Sequence, residues 1–194
     1  MPVRVFSDEE KEQIKADMFE AGIRLIKEYG LTHASVTKIT EAAGIGKSTF
    51  YNFFESKELF VIGLIRYERQ KAMKMIQDHL AGRERMTKEE GKKLLYMIIY
   101  HQDSVYQYLT EEDVKSLYPA MEKAGFIEDD LNSDTPQYLL HIIEGTREDA
   151  DPKVFVNFLR MMALCVSQKD ALHQNVLQKN IDMIFEAMFR YIFA

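Results

Sequence analysis

Helical periodicity of apolar residues runs along almost the whole chain and limits the fold more than any other feature. Apolar residues recur three or four positions apart, and no stretch shows the strict alternation of a half-buried β-strand. Trp is absent and only four prolines occur, while the helix-favouring residues Met, Leu, Ile, Lys and Glu are abundant. The pattern therefore predicts an all-α protein of about nine helices.

Start and stop signals set the expected helix boundaries. Ser7 and Glu10 form a capping box before the first helix, and Gly30 ends it. Acidic and polar composition predicts loops at 127–134 and 145–150. The remaining helices are expected at 36–43, 47–53 or 54, 57–80, 87–108, 111–123, 135–144, 152–169 and 173–193.

Composition indicates a folded, intracellular protein. The chain is 46% hydrophobic and 29% charged, as in a globular protein, and its single cysteine, Cys165, excludes an internal disulfide. We expect a cytoplasmic location and no membrane contact, because there is no signal peptide and no apolar run of roughly 18 residues. The net charge of −6 excludes coating of nucleic acid by bulk charge, but it permits a local cationic face.

The segment from Ser35 to Leu59 carries the most specific pattern. It contains two helices of about seven residues, which are too short to be stable unless they pack against their neighbours. Gly44 lies between them and allows the positive φ of a sharp corner. Phe50, Phe53 and Phe54 bury one side of the second helix. This arrangement predicts a helix-turn-helix.

The other side of the second helix offers short hydrogen-bonding groups, a cation and a phenol. Such groups suit a helix that enters the major groove of DNA with its first turn against the base edges. Lys38 adds a second cation on the preceding helix. The predicted DNA-facing residues of the second helix are Gly46, Lys47, Ser48, Thr49, Tyr51 and Asn52.

Between Ile14 and Ile65 the sequence resembles the tetracycline-repressor-like (TetR/AcrR) family of bacterial transcription regulators. The resemblance is carried by Ala-Ala-Gly-Ile at 42–45, Lys-Ser-Thr-Phe-Tyr at 47–51, Phe54, and Ser-Lys-Glu at 56–58. It implies a repressor that binds double-stranded operator DNA. It implies recognition contacts from Lys47, Thr49, Tyr51 and Asn52, a backbone contact from Thr37 and a phosphate contact from Lys57.

With this resemblance, the pattern divides the chain into three parts. A helix-turn-helix DNA-binding domain is expected at 1–56, a connecting helix at 57–82, and a ligand-binding and dimerisation domain at 83–194. The last part rests on pattern and fold analogy alone.

Residues 44–49 also resemble the end of a phosphate-binding P-loop, which would indicate a nucleotide hydrolase. The complete motif needs a glycine where Glu41 stands, and it follows a β-strand, whereas 37–43 has helical spacing. The five histidines never fall at metal-ligand spacing, and the chain has no Gly-x-Ser-x-Gly elbow. We expect no catalytic residues, no metal and no cofactor, with an enzyme on this scaffold as the least favoured alternative.

The last two helices are the most apolar. One stripe of each can pack inward while a second packs against the same helices of a partner, which would form a two-fold, four-helix interface. A wholly internal core is the alternative. The residues assigned to the homodimer interface are Phe155, Phe158, Leu159, Met162, Ile184, Phe185, Met188 and Ile192.

A zone rich in tyrosine and methionine precedes these helices. It predicts a cavity for a small apolar or aromatic ligand, although ordinary core packing explains the composition equally well. A ligand there would tilt the 57–80 helix and release the operator; the alternative is a regulator of the same fold without a ligand. The assigned pocket residues are Met97, Tyr100, His101, Tyr118, Met121, Phe126, Tyr138, His141 and Met161.

Overall fold

The computed structural model describes residues 6–100, 105–126 and 134–193. These residues form nine α-helices and two short 3-10 helices, and their only β-type pairing is one bridge between Met86 and Ile143. The predicted all-α architecture is confirmed. The helices are α1 (Asp8–Tyr29), α2 (Val36–Ala42), α3 (Lys47–Phe53), α4 (Lys57–Leu80), α5 (Lys88–Tyr100), α6 (Glu111–Lys123), α7 (Thr135–Ile142), α8 (Pro152–Ser167) and α9 (Gln174–Phe193).

The helix predicted at 87–108 differs from the observed elements. Helix α5 is described as far as Tyr100, and Val105–Tyr108 form a 3-10 helix. Residues 101–104 lie outside the described part of the chain, and so does the loop predicted at 127–134, apart from Asp134.

Helices α7 and α8 end two residues earlier than predicted. The backbone of Ile143 is extended, and its neighbours pair with Met86: Met86 N donates to Ile142 O at 2.7 Å, and Glu144 N donates to Met86 O at 2.9 Å. This pairing stops α7 at Ile142. Helix α8 stops at Ser167, where a 3-10 helix takes over.

The chain divides into two compact units. The first comprises residues 6–69 and 112–126, and the second comprises the other described residues. This division differs from the ranges expected from the sequence, 1–56, 57–82 and 83–194. Helix α4 is shared between the units, and most of α6 belongs to the first unit. The reason is that α6 buries Leu117, Ala120 and Met121 there and forms the polar contacts described below.

Four phenylalanines, Phe19, Phe50, Phe54 and Phe60, form the centre of the first unit. Their ring centroids lie 5.2–5.6 Å apart in five of the pairs, in tilted, stacked and edge-on arrangements. Aromatic pairs of this kind contribute about 0.5–1.5 kcal/mol each beyond the area they bury. Because the four residues come from α1, from α4, and from α3 and its C-terminal cap, this phenylalanine cluster fixes α3 to the body of the unit.

The core of the second unit lies among α5, α7, α8 and α9. It contains five of the residues that the sequence assigned to a dimer interface, each at most 2% exposed within a single chain. These side chains therefore pack inside the subunit, and contact with a partner would have to come from other residues. The five are Phe155, Met162, Phe185, Met188 and Ile192; the other three, Phe158, Leu159 and Ile184, pack at the edge of the same core and are partly buried.

Candidate nucleic-acid interface

A tight corner joins α2 to α3. Ser35 caps α2 by accepting a hydrogen bond from Lys38 N at 3.3 Å. Gly44 has φ +68°, and Ile45 N donates back to Thr40 O at 2.9 Å, which closes the corner. Because L-residues rarely adopt this φ, glycine at position 44 is what permits the sharp change of direction predicted from the sequence.

Helix α3 has one aromatic side and one polar side. Phe50 is fully buried in the phenylalanine cluster, whereas Lys47, Ser48, Tyr51 and Asn52 are exposed. We call these four residues the polar face of α3. Tyr51 is 52% exposed. Its ring packs edge-on against Phe50, with 5.4 Å between the ring centroids, so the side chain is held in place while about half of it remains accessible. The side chains of the polar face are available to a large ligand such as a duplex.

The other predicted contacts on α2 and α3 also lie at or near the surface. Thr37 and Lys38 are exposed, and the Lys38 ammonium lies 4.8 Å from the centre of the Tyr29 ring. Gly46 is the N-cap residue of α3 and supplies no side-chain cap, and Thr49 is half-buried. These residues therefore occupy the same corner as the polar face.

Lys57 bonds within its own unit in this structure. Its ammonium donates a hydrogen bond to Leu31 O at 2.5 Å, and the side chain is half-buried. Burial lowers the pKa of Lys57, while the negative charges of Glu58 and Asp113 act in the opposite direction. In this conformation the ammonium faces the protein rather than a phosphate.

Helix α6 contributes residues that sequence reasoning did not connect with this unit. Lys123 forms an ion pair with Glu55 at 2.5 Å, and this bond lowers the pKa of the Glu55 carboxyl. Asp113 lies near Thr32, with 3.5 Å between Oγ1 and Oδ1. Arg66 donates to Ala124 O at 2.8 Å. No local sequence signal could have found these contacts, since they join positions 58–81 residues apart.

An open cleft of about 620 Å³ adjoins the polar face of α3. It lies between the start of α1 and the α2–α3 corner, so the first turns of α1 belong to the same surface. The sequence did not predict that Gln13 and Ile14 would line this cleft. The helical spacing of apolar residues in α1 places Ile14 on the buried side of that helix instead. The lining residues are Phe6, Glu10, Gln13, Ile14, Gly44, Ile45, Gly46, Ser48, Thr49 and Asn52.

The residues assigned to a ligand pocket are divided between the two units. In the first unit, Met121 and Phe126 are buried and Tyr118 is exposed. In the second, Tyr138 is half-buried, whereas Met97, His141 and Met161 are exposed. The side chain of Tyr100 and the whole of His101 lie outside the described residues.

Neither of two clefts in the described residues is lined by these pocket residues. One is the cleft at the α2–α3 corner, and the other measures about 400 Å³ and lies along α9. The residues lining the second cleft are Lys179, Asp182, Met183, Glu186, Ala187 and Arg190.

Two further features are absent from the described ranges. None of their helices combines the length and apolar character needed to cross a bilayer. They contain no group of three or more His, Cys, Asp or Glu side chains arranged to hold a metal ion.

Comparison with known proteins agrees with this geometry. Residues 19–62 match the family of bacterial regulatory proteins called the tetR family. The fold resembles that of the fatty acid degradation regulator FadR from Bacillus halodurans, with 17% sequence identity, a TM-score of 0.58 and coverage of 96% of this chain and 97% of that chain. It also resembles a TetR family transcription regulator from Marinobacter aquaeolei VT8, with 16% identity, a TM-score of 0.50 and coverage of 96% and 98%. Curated proteins gave no match.

The matched residues include the corner, the polar face of α3 and the phenylalanine cluster that anchors α3. The structural neighbours extend the shared fold over nearly the whole length. In its residues 19–62 the chain is thus similar to the tetR family of bacterial regulatory proteins, and over most of its length it shares the fold of these two solved structures.

Proposed function

We propose that the protein is a homodimeric, cytoplasmic repressor rather than an enzyme. Each subunit inserts α3 into the major groove of one half of a palindromic operator, and a small apolar or aromatic ligand in the second unit releases the DNA. The observation that carries the proposal is the two-sided character of α3: its polar face is exposed while Phe50 anchors its other side.

The polar face offers the chemistry that base recognition requires. An asparagine can form two hydrogen bonds with adenine and a lysine can bond to guanine, which makes Asn52 and Lys47 the strongest candidates for base contacts. Ser48 and the Tyr51 hydroxyl suit phosphates or base edges. Two copies of α3 spaced by about 34 Å would reach successive major grooves on one side of the duplex.

An apolar stripe on α8 and α9 supports dimerisation. It consists of large side chains that remain exposed in the single subunit, and it continues past the small residue Ala187, which allows close approach of a second helix. A self-complementary patch of this kind suits a two-fold interface. Its large members are Val154, Met161, Leu164, Val176 and Met183.

Ligand release requires that the second unit influence α3. Helix α4 belongs to both units, so a ligand that prefers one orientation of this helix can shift the population between DNA-binding and released states. A nearly complete shift needs a differential affinity of about 5 kcal/mol. A compound that binds the second unit and leaves operator affinity unchanged would contradict this part of the proposal.

The decisive experiment measures DNA binding by variants of the polar face. An operator is first selected from random duplexes with the full-length protein, and its affinity is then measured over a range of salt concentrations. Lys47→Ala should weaken binding by about 1–3 kcal/mol, the usual worth of a contact to guanine, with little change in the slope of log K against log salt. Tyr51→Ala should cost about 1–3 kcal/mol.

Matched controls exist on other surfaces of the chain. Lys93→Ala removes an exposed lysine from α5, and Tyr118→Ala removes a tyrosine that is 56% exposed on α6, close to the exposure of Tyr51. Both controls should bind the operator like the unmodified protein. If Lys47→Ala and Tyr51→Ala also bind the operator like the unmodified protein, α3 does not contact the DNA bases and the proposed function fails.

A further inference from the structure

Asp113 is a charged side chain in an unusual place. It lies in the first turn of α6 and is 7% exposed, and it is the only charged residue among those the structure describes that is buried. Burying a carboxylate is strongly unfavourable unless hydrogen bonds or an opposite charge compensate. The groups around Asp113 therefore indicate what holds it there.

Two of these groups come from the region of the helix-turn-helix. The Thr32 hydroxyl in the turn between α1 and α2 lies 3.5 Å from the Asp113 carboxylate. The Lys57 ammonium, at the first residue of α4, donates to Leu31 O in the same turn, and the Asp113 charge acts to raise the pKa of Lys57 against the larger, opposite effect of burial. Glu58 is the other acidic group that acts on Lys57. The α1–α2 turn thus contacts both neighbours: Thr32 lies against Asp113 of α6, and Leu31 O accepts a hydrogen bond from Lys57 of α4.

These attachments lie on both sides of the recognition helix in sequence. The α1–α2 turn leads directly into α2 through its cap Ser35, and Lys57 begins α4 four residues after α3 ends at Phe53. The position of α3 depends on both neighbours, because a helix of seven residues has no stability of its own.

We propose that Asp113 is a positioning residue for DNA binding: through Thr32 and Lys57 it holds α2 and α4 in the arrangement that allows α3 to enter the groove, without touching DNA itself. This inference rests on the proposed role of α3. If Asp113 no longer holds these groups, the helix-turn-helix samples several arrangements, and the apparent dissociation constant rises by the inverse of the fraction that remains competent.

The test is Asp113→Asn, which preserves shape and removes charge. Removing the charge that strengthens these bonds should reduce the competent fraction enough to weaken operator binding about tenfold. The slope of affinity against salt should not change, because Asp113 itself touches no phosphate. Simple electrostatics predicts the opposite sign, since removing a negative charge favours attraction to DNA. Glu112→Gln, at the exposed neighbouring position, is the matched control and should bind as tightly as the unmodified protein or slightly more tightly.

A double-mutant cycle with Lys57→Met separates positioning from general destabilisation. If Asp113 acts through Lys57, the double variant should lose little more affinity than the more affected single variant, whereas independent effects would multiply. Measurements are made at a temperature where circular dichroism shows every variant folded. Thr32→Val replaces the hydroxyl with a methyl group and should weaken binding by a smaller factor. It replaces Asp113→Asn as the test variant if Asp113→Asn does not fold.

Three results would overturn the inference. They are unchanged or tighter binding by Asp113→Asn, multiplicative effects in the cycle, or a salt slope lowered by about 0.9 in Lys57→Met, which would place Lys57 on a phosphate. Failure of the proposed function is distinguishable, because Lys47→Ala and Tyr51→Ala would then bind normally as well.

Discussion

At the corner between α2 and α3, one backbone angle decides which residue can occupy position 44. The φ of +68° at Gly44 lies in the left-handed region, and a Cβ added there would meet no atom within 4 Å. Any cost of a larger residue is therefore conformational and not steric. For most L-residues this conformation costs about 1–2 kcal/mol.

We therefore expect Gly44→Ala to lower the free energy of unfolding by about 1 kcal/mol. Gly44→Asn is the matched variant, and it should cost less because asparagine adopts the left-handed conformation more readily. Urea unfolding of both variants checks the prediction. If both variants lose the same free energy of unfolding, the left-handed backbone conformation at position 44 does not set the cost of replacing glycine.

Lys57 shows the limit of sequence reasoning at this scale. Gly44, the capping residue Ser35 and the exposed polar face of α3 follow from local patterns, and the structure agrees with them. The phosphate contact expected of Lys57 comes from the family resemblance. In the structure its ammonium donates to Leu31 O, 26 positions away in the turn between α1 and α2, and no pattern of neighbouring residues reveals that bond.

At the scale of elements, the same capping signal occurs at two helix starts. Ser7 and Glu10 cap α1 as predicted. Thr87 and Glu90 have identical spacing before α5: Thr87 N donates to the Glu90 carboxylate at 2.8 Å, and Glu90 N donates to Thr87 Oγ1 at 3.2 Å. Arg83 adds two hydrogen bonds to this carboxylate at 3.1 and 3.3 Å. The hydrogen bonds from Arg83 and Thr87, with that of Arg83 having the largest effect, lower the pKa of the Glu90 carboxyl to about 2.

This lowered pKa predicts a pH dependence of stability. The carboxylate of an unfolded chain titrates near pH ~4.3, so Glu90 contributes its full stabilisation above that value. The contribution is then lost as the pH falls toward about 2, the folded pKa. Glu90→Gln should lower the melting temperature at pH 7. The melting temperature of this variant should also fall less steeply as the pH drops from the unfolded to the folded pKa of Glu90.

Glu89→Gln is the control for this prediction, since Glu89 is an exposed carboxylate in the same first turn. It should leave the melting curve and its acid dependence close to those of the unmodified protein. If both variants behave alike, the Arg83–Glu90 contact contributes nothing measurable, as is common for exposed ion pairs.

At the scale of the whole molecule, α8 and α9 each carry two apolar stripes. The sequence predicts both stripes, but it assigned the wider, phenylalanine-rich set to the partner. The larger side chains fill the core of the subunit, where burial is worth more per residue. The exposed stripe contains smaller or more flexible residues, such as Met161, Leu164 and Met183.

We expect Met183→Glu to make the protein monomeric at micromolar concentration, whereas the proposal has the unmodified protein dimeric, because the proposed interface would bury an unpaired charge. Met183 is 63% exposed in the single subunit, so the substitution should leave the fold of the subunit intact. Sedimentation velocity measures the change. Met75→Glu is the matched control, since Met75 lies on α4 and is 50% exposed. A dimeric Met183→Glu protein would exclude this stripe as the interface.

The division into units was the least predictable feature. Helix periodicity and capping residues are local, and they locate almost every helix to within two residues. Which helix joins which core depends on contacts between distant segments. Arg66 with Ala124 and Lys123 with Glu55 are examples that bring α6 into the first unit.

The membership of α6 in the first unit sets a rule for hybrid regulators. Transplanting residues 6–69 alone onto the remainder of a similarly folded regulator would set Thr32 and Glu55 against a foreign helix with unmatched side chains. A graft that also carries 112–126 would bring its own supports with it, although that stretch comes later in the gene. The proposed DNA-binding module is therefore encoded by two separate pieces of sequence.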